Sequence, residues 1–229
     1  MAERPSTFKF MREVSAMLTQ ARYLGFDWTL TETFDQDAHV VFIHGLYASA
    51  GVFRPLKEAL TNAYRVGTSS FSYLPGVGIE LLTDRLDALL RELKGQYPVI
   101  LVGHSLGGLV VRQHVRRLSR DPRVVQTISL AAPFLGTHKH QLVPGQAGRD
   151  LTPGAQILSA LVQNDLSNQH VPHLSLLAEH DQLIVPGAIP KYGEHQIISG
   201  AGHNGILFDR QAIASVLDKV DACINGLRT

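Results

Sequence analysis

The stretch VILVGHSLGGLVVRQHV, Val99 to Val115, decides how this chain folds. Four apolar residues, Val99 to Val102, lead into Gly103-His104-Ser105-Leu106-Gly107, and an apolar helical pattern follows. A strand apolar on both sides belongs in the middle of a sheet covered on both faces. Where such a strand hands over to a helix, the residue at the apex takes a strained backbone conformation. Gly103 and Gly107 flank it because a β-carbon at either position would collide with the neighbouring strand or helix. The Ser105 side chain is left at the C-terminal edge of the sheet, where open α/β folds bind ligands. The helix that begins there turns free backbone N–H groups toward negative charge. Strand, turn and helix in this order mark Ser105 as a nucleophile on a sharp elbow.

The pattern repeats outward from this stretch. HVVFIHG (39–45), YRVGTSSFSY (64–73), PVILVGH (98–104), VVQTISLAAP (124–133), HLSLLAEHD (173–181) and HQIISGAGH (195–203) read as strands. Gly67 weakens the second of them. Helical spacing runs through 53–63, 79–93 and 206–224, with Leu82, Leu86, Leu89 and Leu93 on one face of the second helix. Strands alternating with helices predict an α/β fold, a mostly parallel central sheet with helices on both faces. Residues 1–37 read as an N-terminal amphipathic helix (6–24) and lead-in, and residues 38–229 as the main domain. Phe8, Met11, Ser15, Leu18 and Arg22 follow helical spacing, which suits packing on the domain surface. The alternative reading, weak contact with a membrane surface, has only a thin basic face to support it. Residues 134–172 break the rhythm with glycines, prolines and one helical piece near 155–166. Long irregular insertions are more often functional than accidental. This one reads as a small cap or pocket wall, offering Phe134, Leu135, Leu142, Ile157, Leu158, Leu161 and Val162, or as packing for a helix on the sheet.

Composition narrows the function classes. The chain has 229 residues, 45% hydrophobic and 18% charged, with a formal net charge of +1. That is a globular balance with ample core and no electrostatic case for nucleic acid. Five arginines between Arg112 and Arg123 read as the solvated C-terminal end of a helix rather than a phosphate site. Cys223 is the only cysteine, so no intrachain disulfide forms, and it reads as inert packing. No run approaches the roughly 20 apolar residues of a membrane span. The charged N-terminus lacks the pattern of a signal peptide, so the expected location is the cytoplasm. The 11 histidines include His138 and His140, and His170 and His173, but no helical ligand pair with an acidic partner, so no metal is expected.

A serine hydroxyl needs a base, and the base needs an orienting carboxylate. Behind such an elbow the chain order is serine, acid, histidine. AEHDQLIVP and GAGHNGILFD supply them: Asp181 and His203 fall just past strand ends, on the edge that carries Ser105. Glu179, the rival acid, falls within the strand pattern. In FIHGLYAS, Gly45 permits a tight turn that points the Leu46 N–H into the site. With the Leu106 N–H it would form an oxyanion hole, each donor giving about 3 kcal/mol of transition-state stabilisation. His44 reads as a brace for this loop and His104 as packing beside the elbow. Tyr47, His104, Phe134 and Leu135 are the expected pocket residues.

HGLYAS, GHSLGG, AAPFLGT (131–137), EHDQLIVP and GHNGILFD, in this order over roughly residues 38–225, resemble the α/β-hydrolase superfamily. Within it they are similar to the bacterial triacylglycerol lipase and carboxylesterase-like group. DLTPGAQIL (150–158) is similar to a segment these proteins carry ahead of the acid strand, with Ala155 in place of a frequent serine. The resemblance implies an α/β-hydrolase fold, with Ser105 as nucleophile, Asp181 as acid, His203 as base and the Leu46 and Leu106 amides as oxyanion donors. It implies hydrolysis of a small-molecule or lipid ester through an acyl-enzyme, without cofactor. The same triad also serves acyl transfer and thioester or amide cleavage, and the fold also serves non-catalytic binding proteins.

Overall fold

The structure is a computed structural model that describes residues 15–16, 18–19, 21–23, 36–117, 120–162, 171–184 and 193–226. The expectations for 1–14, the 24–35 lead-in and part of the 134–172 insertion lie outside the described residues. Among the described residues six strands form one sheet: β1 (Ala38–Ile43), β2 (Val66–Ser70), β3 (Val99–His104), β4 (Val124–Leu130), β5 (His173–Ala178) and β6 (Glu194–Ile198). Their order is β2-β1-β3-β4-β5-β6, and every neighbouring pair is parallel. The helices are α1 (Arg54–Ala63), α2 (Ile79–Glu92), α3 (Leu106–Arg116), α4 (Gly145–Asp150), α5 (Gln156–Val162) and α6 (Arg210–Gly226). The chain goes from β1 to β2 on one side, then crosses to β3 on the other. That reversal opens a crevice at the carboxyl ends of β1 and β3.

Side chains alternate across the sheet, so each strand feeds two cores. Val40 and Phe42 of β1 pack with Phe53, Leu56 and Leu60 around α1 and with Val216, Val220 and Ile224 of α6. Val41 and Ile43 point the other way, against Leu82, Leu86 and Leu90 of α2 and Leu109 and Val110 of α3. β1 and β3 are buried along their whole length, which is why they read as unbroken apolar runs. Among the described residues no helix is long and apolar enough to cross a membrane.

The strands end earlier than their sequence pattern suggests. His44 and Gly45 leave the sheet after β1, residues 131–133 after β4, and residues 179–181 after β5. After β4 the apolar pattern runs on into the buried Ala131-Ala132-Pro133 loop, so hydrophobicity alone does not mark that end. The second predicted strand keeps only Val66–Ser70, with Gly67 paired to His39. The predicted 206–224 helix divides into a 3-10 turn (Gly205–Phe208) and α6.

Two expectations need correction. The described residues between 15 and 22 are helical, but Ser15, Leu18 and Arg22 are exposed, and Ala16 is buried instead. The small Ala16 allows close approach to the domain, and Tyr23 then stacks on Phe208 while its carbonyl accepts from Ser49 Oγ. The arginine run is not a solvated patch. Arg112 is fully buried. Arg117 bonds Glu80, Asp84 and Asp87 on α2, and Arg123 donates to the Leu90, Leu93 and Gly95 carbonyls. The cations face acids and helix-end carbonyls contributed by α2, a partnership between distant segments that a local charge count misses. Cys223 is half-buried against the core, and burial pushes its thiol up.

Helix α3 lies so close to β1 that a β-carbon on Gly107 would stand 2.0 Å from the Ile43 carbonyl oxygen. Backbone cannot yield there as a flexible side chain could. We therefore expect Gly107→Ala to cost about 3 kcal/mol or more, lowering Tm by roughly 6–12 °C in a thermal melt. Gly226→Ala, with open space around the β-carbon, should leave Tm unchanged or raise it.

Candidate active site

Ser105 continues β3 for one more bond, its N–H donating to the Leu130 carbonyl at 2.9 Å. The chain then turns sharply into α3, with Ser105 at φ 52° and ψ −120°. A non-glycine residue at positive φ is strained, and its neighbours hold it there. Gly103 and Gly107 touch through backbone, since a β-carbon on Gly103 would meet the Gly107 carbonyl carbon at 2.3 Å. Gly45, on the loop after β1, also lies close: its β-carbon would sit 2.9 Å from Ser105 Cβ. The elbow thus brings three backbone segments together, and the serine hydroxyl is what remains to face the crevice.

The last two strands deliver the other groups. Asp181 follows β5 and His203 follows β6, and the loops are stitched by the His180 N–H donating to the Ala201 carbonyl at 2.9 Å. His203 Nδ1–H donates to Asp181 Oδ2 at 2.7 Å. That leaves His203 Nε2 to accept from the Ser105 hydroxyl at 3.0 Å. Asp181 Oδ1 accepts from the Leu183 and Ile184 amides at 2.9 and 3.3 Å. Burial alone would push the Asp181 carboxyl up. The His203 hydrogen bond and charge, with the two amides, outweigh it and hold the carboxyl below its ordinary value. The acid is therefore a carboxylate at neutral pH. Glu179 turns away, accepting from Ser199 and Gly200.

Three further groups surround this chain. His104 Nε2–H donates to the His203 carbonyl at 2.9 Å, and its ring lies 5.1 Å from the His203 ring. Burial and the neighbouring imidazole push His104 down to about 3, so it is a neutral prop rather than a second base. His44 braces its loop. Its Nδ1–H donates to the Gly45 carbonyl at 2.7 Å, and the Tyr73 ring stacks on it at 4.1 Å. Leu106 is the first residue of α3, so its N–H has no carbonyl four residues back within the helix. Leu46 lines the crevice wall, followed by Tyr47 at φ 57°.

A cavity of about 380 Å³ opens above Ser105 and His203. Leu46, Tyr47 and His104 line it, as do Pro133, Thr137, Lys139, Leu142, Val143 and Leu151. Two expected pocket residues are elsewhere. Phe134 is fully buried in the core, edge-on to His173, and Leu135 points out beside it, 37% exposed. The cause is the backbone: Ala131 at φ 49° and the turn closed by Gly136 N–H on the Pro133 carbonyl rotate this stretch inward. Leu158 and Leu161 likewise pack α5 onto α3 and the sheet. The insertion is thus wall in its first part and packing in its second. Leu183 and Ile184 line the cavity too, and their place as an apolar pair two residues past Asp181 was their only sequence signal. Ala21 reaches the cavity from the N-terminal segment, with no such signal.

Of the histidines considered for metal, His173 and His140 are engaged otherwise, His138 is exposed, and His170 lies outside the described residues. His173 bonds Thr127 and Ser129, and His140 Nδ1–H donates to the Thr137 carbonyl. Among the described residues no three metal-ligating side chains cluster.

Residues 40–179 match the alpha/beta hydrolase family. The pimeloyl-[acyl-carrier protein] methyl ester esterase of Aliivibrio salmonicida is 32% identical over 103 residues, 44% of this chain and 38% of the relative. Its counterpart in Shewanella oneidensis is 39% identical over 87 residues, 36% of this chain and 31% of the relative. The chain therefore spans well under half the length of the curated relatives it matches. Among solved structures, the monoacylglycerol lipase of Paleococcus ferrophilus superposes with a TM-score of 0.66 at 16% identity, covering 82% of this chain and 94% of that one. The methylesterase MES16 from Arabidopsis gives 0.58 at 16%, covering 80% and 99%. At these identities the likeness is one of fold.

Three buried histidines give this region a pH signature. Burial holds His104, His114 and His173 below the ordinary value of 6.5, although Asp87 partly offsets it at His114. Between the folded and unfolded values the unfolded chain binds more protons. Stability is therefore intact above about pH 6.5 and falls as the pH drops toward the folded values. Urea denaturation at a series of pH values should show this decline. His104→Gln should make it shallower by up to about 1.4 kcal/mol per pH unit. An unchanged slope in the variant would contradict a neutral buried His104.

Proposed function

The chain belongs to the alpha/beta hydrolase family, and from that premise we propose that it is a serine hydrolase that cleaves carboxylic esters through an acyl-enzyme. The observation that carries the reading is the continuous hydrogen-bond chain Asp181–His203–Ser105 at the carboxyl ends of β5, β6 and β3. The ester-cleaving relatives support the same class of bond.

The steps follow from the geometry. An ester enters the apolar cavity with its carbonyl carbon against Ser105 Oγ. His203 Nε2 takes the hydroxyl proton as Oγ bonds the carbonyl carbon, and the carbonyl oxygen becomes an alkoxide. The Leu46 and Leu106 amides donate to that oxygen. The Asp181 carboxylate keeps the imidazole in the tautomer with hydrogen on Nδ1, and stabilises the imidazolium once Nε2 is protonated. Collapse of the tetrahedral intermediate breaks the bond to the alcohol oxygen, which leaves with the proton from Nε2. Water then attacks the acyl-enzyme with His203 again as base, releasing the carboxylic acid and restoring Ser105. His104, neutral and bonded to the His203 backbone, adds no charge to oppose the imidazolium.

Hydrolysis of p-nitrophenyl butyrate tests this. Ser105→Ala should lose at least about 10³-fold in kcat, and Asp181→Asn should lose a similar factor with KM little changed, because the wrong His203 tautomer is then favoured. A Ser105→Ala protein that folds normally and keeps its rate would overturn the proposal. Wild-type protein that neither cleaves esters nor reacts with a fluorophosphonate would favour a binding protein on the same fold.

A further inference from the structure

The part of the insertion that walls the cavity is an arch fixed at both ends. At one end the Thr137 N–H donates to the Leu151 carbonyl at 3.0 Å, and the Thr137 hydroxyl donates to the carbonyl of Leu183 on the loop that carries Asp181. At the other end Tyr47, on the loop that carries Leu46, donates its phenol hydroxyl to the Leu142 carbonyl at 3.0 Å. Between them the backbone closes on itself: the Lys139 N–H donates to Thr137 Oγ1 at 3.1 Å, and the Leu142 N–H to the Lys139 carbonyl at 2.9 Å. The arch thus spans from the acid loop to the proposed oxyanion loop, and Lys139 sits in its middle.

Lys139 differs in kind from the rest of the lining. Leu46, Pro133, Leu142, Val143, Leu151, Leu183 and Ile184 give the cavity an apolar wall. Among the described residues that line the cavity, Lys139 is the one lysine, arginine, aspartate or glutamate. It is exposed at the mouth, so its ammonium keeps its water and costs nothing in burial. Resting on the ester-hydrolase reading, we propose that Lys139 is a specificity residue. It selects esters that carry an anionic group, a carboxylate or a phosphate, on the part of the substrate emerging at the cavity mouth. A neutral fat ester would fill the apolar wall and leave this cation unused. An anionic one engages both. The arch matters because a tethered backbone holds the charge at one place on the rim.

The anion can sit on the acyl or the alcohol side, and matched esters separate the two. Methyl hydrogen adipate against methyl hexanoate tests the acyl side, and butyryl glycerophosphate against monobutyrin tests the alcohol side. At low salt the wild-type enzyme should favour the anionic member of at least one pair by roughly three- to fivefold in kcat/KM, the size of an exposed ion pair. That ratio should fall toward one in about 0.5 M NaCl. Lys139→Met should bring the ratio to about one, and Lys139→Arg should preserve it. No anion preference in either pair, or a preference that survives Lys139→Met, would overturn the assignment while leaving the ester-hydrolase reading intact. Failure to cleave any of the four esters would count against that reading itself, and this assignment with it.

Discussion

Helix α3 can meet strand β1 only where both present bare backbone, and much of the molecule depends on that contact. The Gly107 α-carbon lies over the Ile43 carbonyl with no room for a side chain, and Gly45 approaches Ser105 in the same manner. Packing this tight sets the angle at which α3 leaves β3. That angle forces Ser105 to positive φ and brings the first amide of the helix beside its hydroxyl. The strain at Ser105, like that at Ala131, is held by buried surroundings: Leu106, Ala131 and all of β1 are closed to solvent. A looser contact would release the strain and lose the aim of the side chain.

Parallel strands bring remote parts of the chain to this place. In a sheet of order β2-β1-β3-β4-β5-β6 every carboxyl end falls on one edge, so residues 105, 181 and 203 meet although nearly a hundred positions separate the first from the last. Electrostatics then divides the labour among the histidines. His104 and His173 are buried where the loss of solvation outweighs what favours a proton, and they remain neutral struts. His203 faces both a carboxylate and a hydroxyl. The insertion closes the arrangement from above. Its hydrogen bonds reach the loops after β1 and β5 rather than Ser105, Asp181 or His203.

What could be read from the amino acids follows from how local each signal is. The parallel sheet was legible because strands alternate with helical patterns, and its central strands β1 and β3 because a doubly covered strand must be apolar throughout. The placements of Ser105 and His203 past strand ends were legible because glycine-rich turns announce them, and that of Asp181 because it follows an apolar run. The cavity lining was not. Whether Phe134 faces a pocket or the core depends on Ala131 at φ 49°, and periodicity carries no trace of that turn. The arginine run misled for the same reason: Arg117 reads as solvated until α2 lays Glu80, Asp84 and Asp87 against it. The N-terminal helix faced the other way because the small Ala16, not the large Leu18, permits the closest approach to the domain.

The central claim, that Ser105 carries the acyl group, is tested most directly by catching it there. The enzyme is mixed with excess p-nitrophenyl butyrate, quenched in acid within the first turnovers, digested, and its peptides are weighed by mass spectrometry. The account predicts a butyryl increment on the peptide containing Ser105, localised to that residue by fragmentation and lost when the mixture is left to hydrolyse before quenching. An increment localised to another side chain, or brisk ester cleavage with Ser105 replaced by alanine, would contradict it.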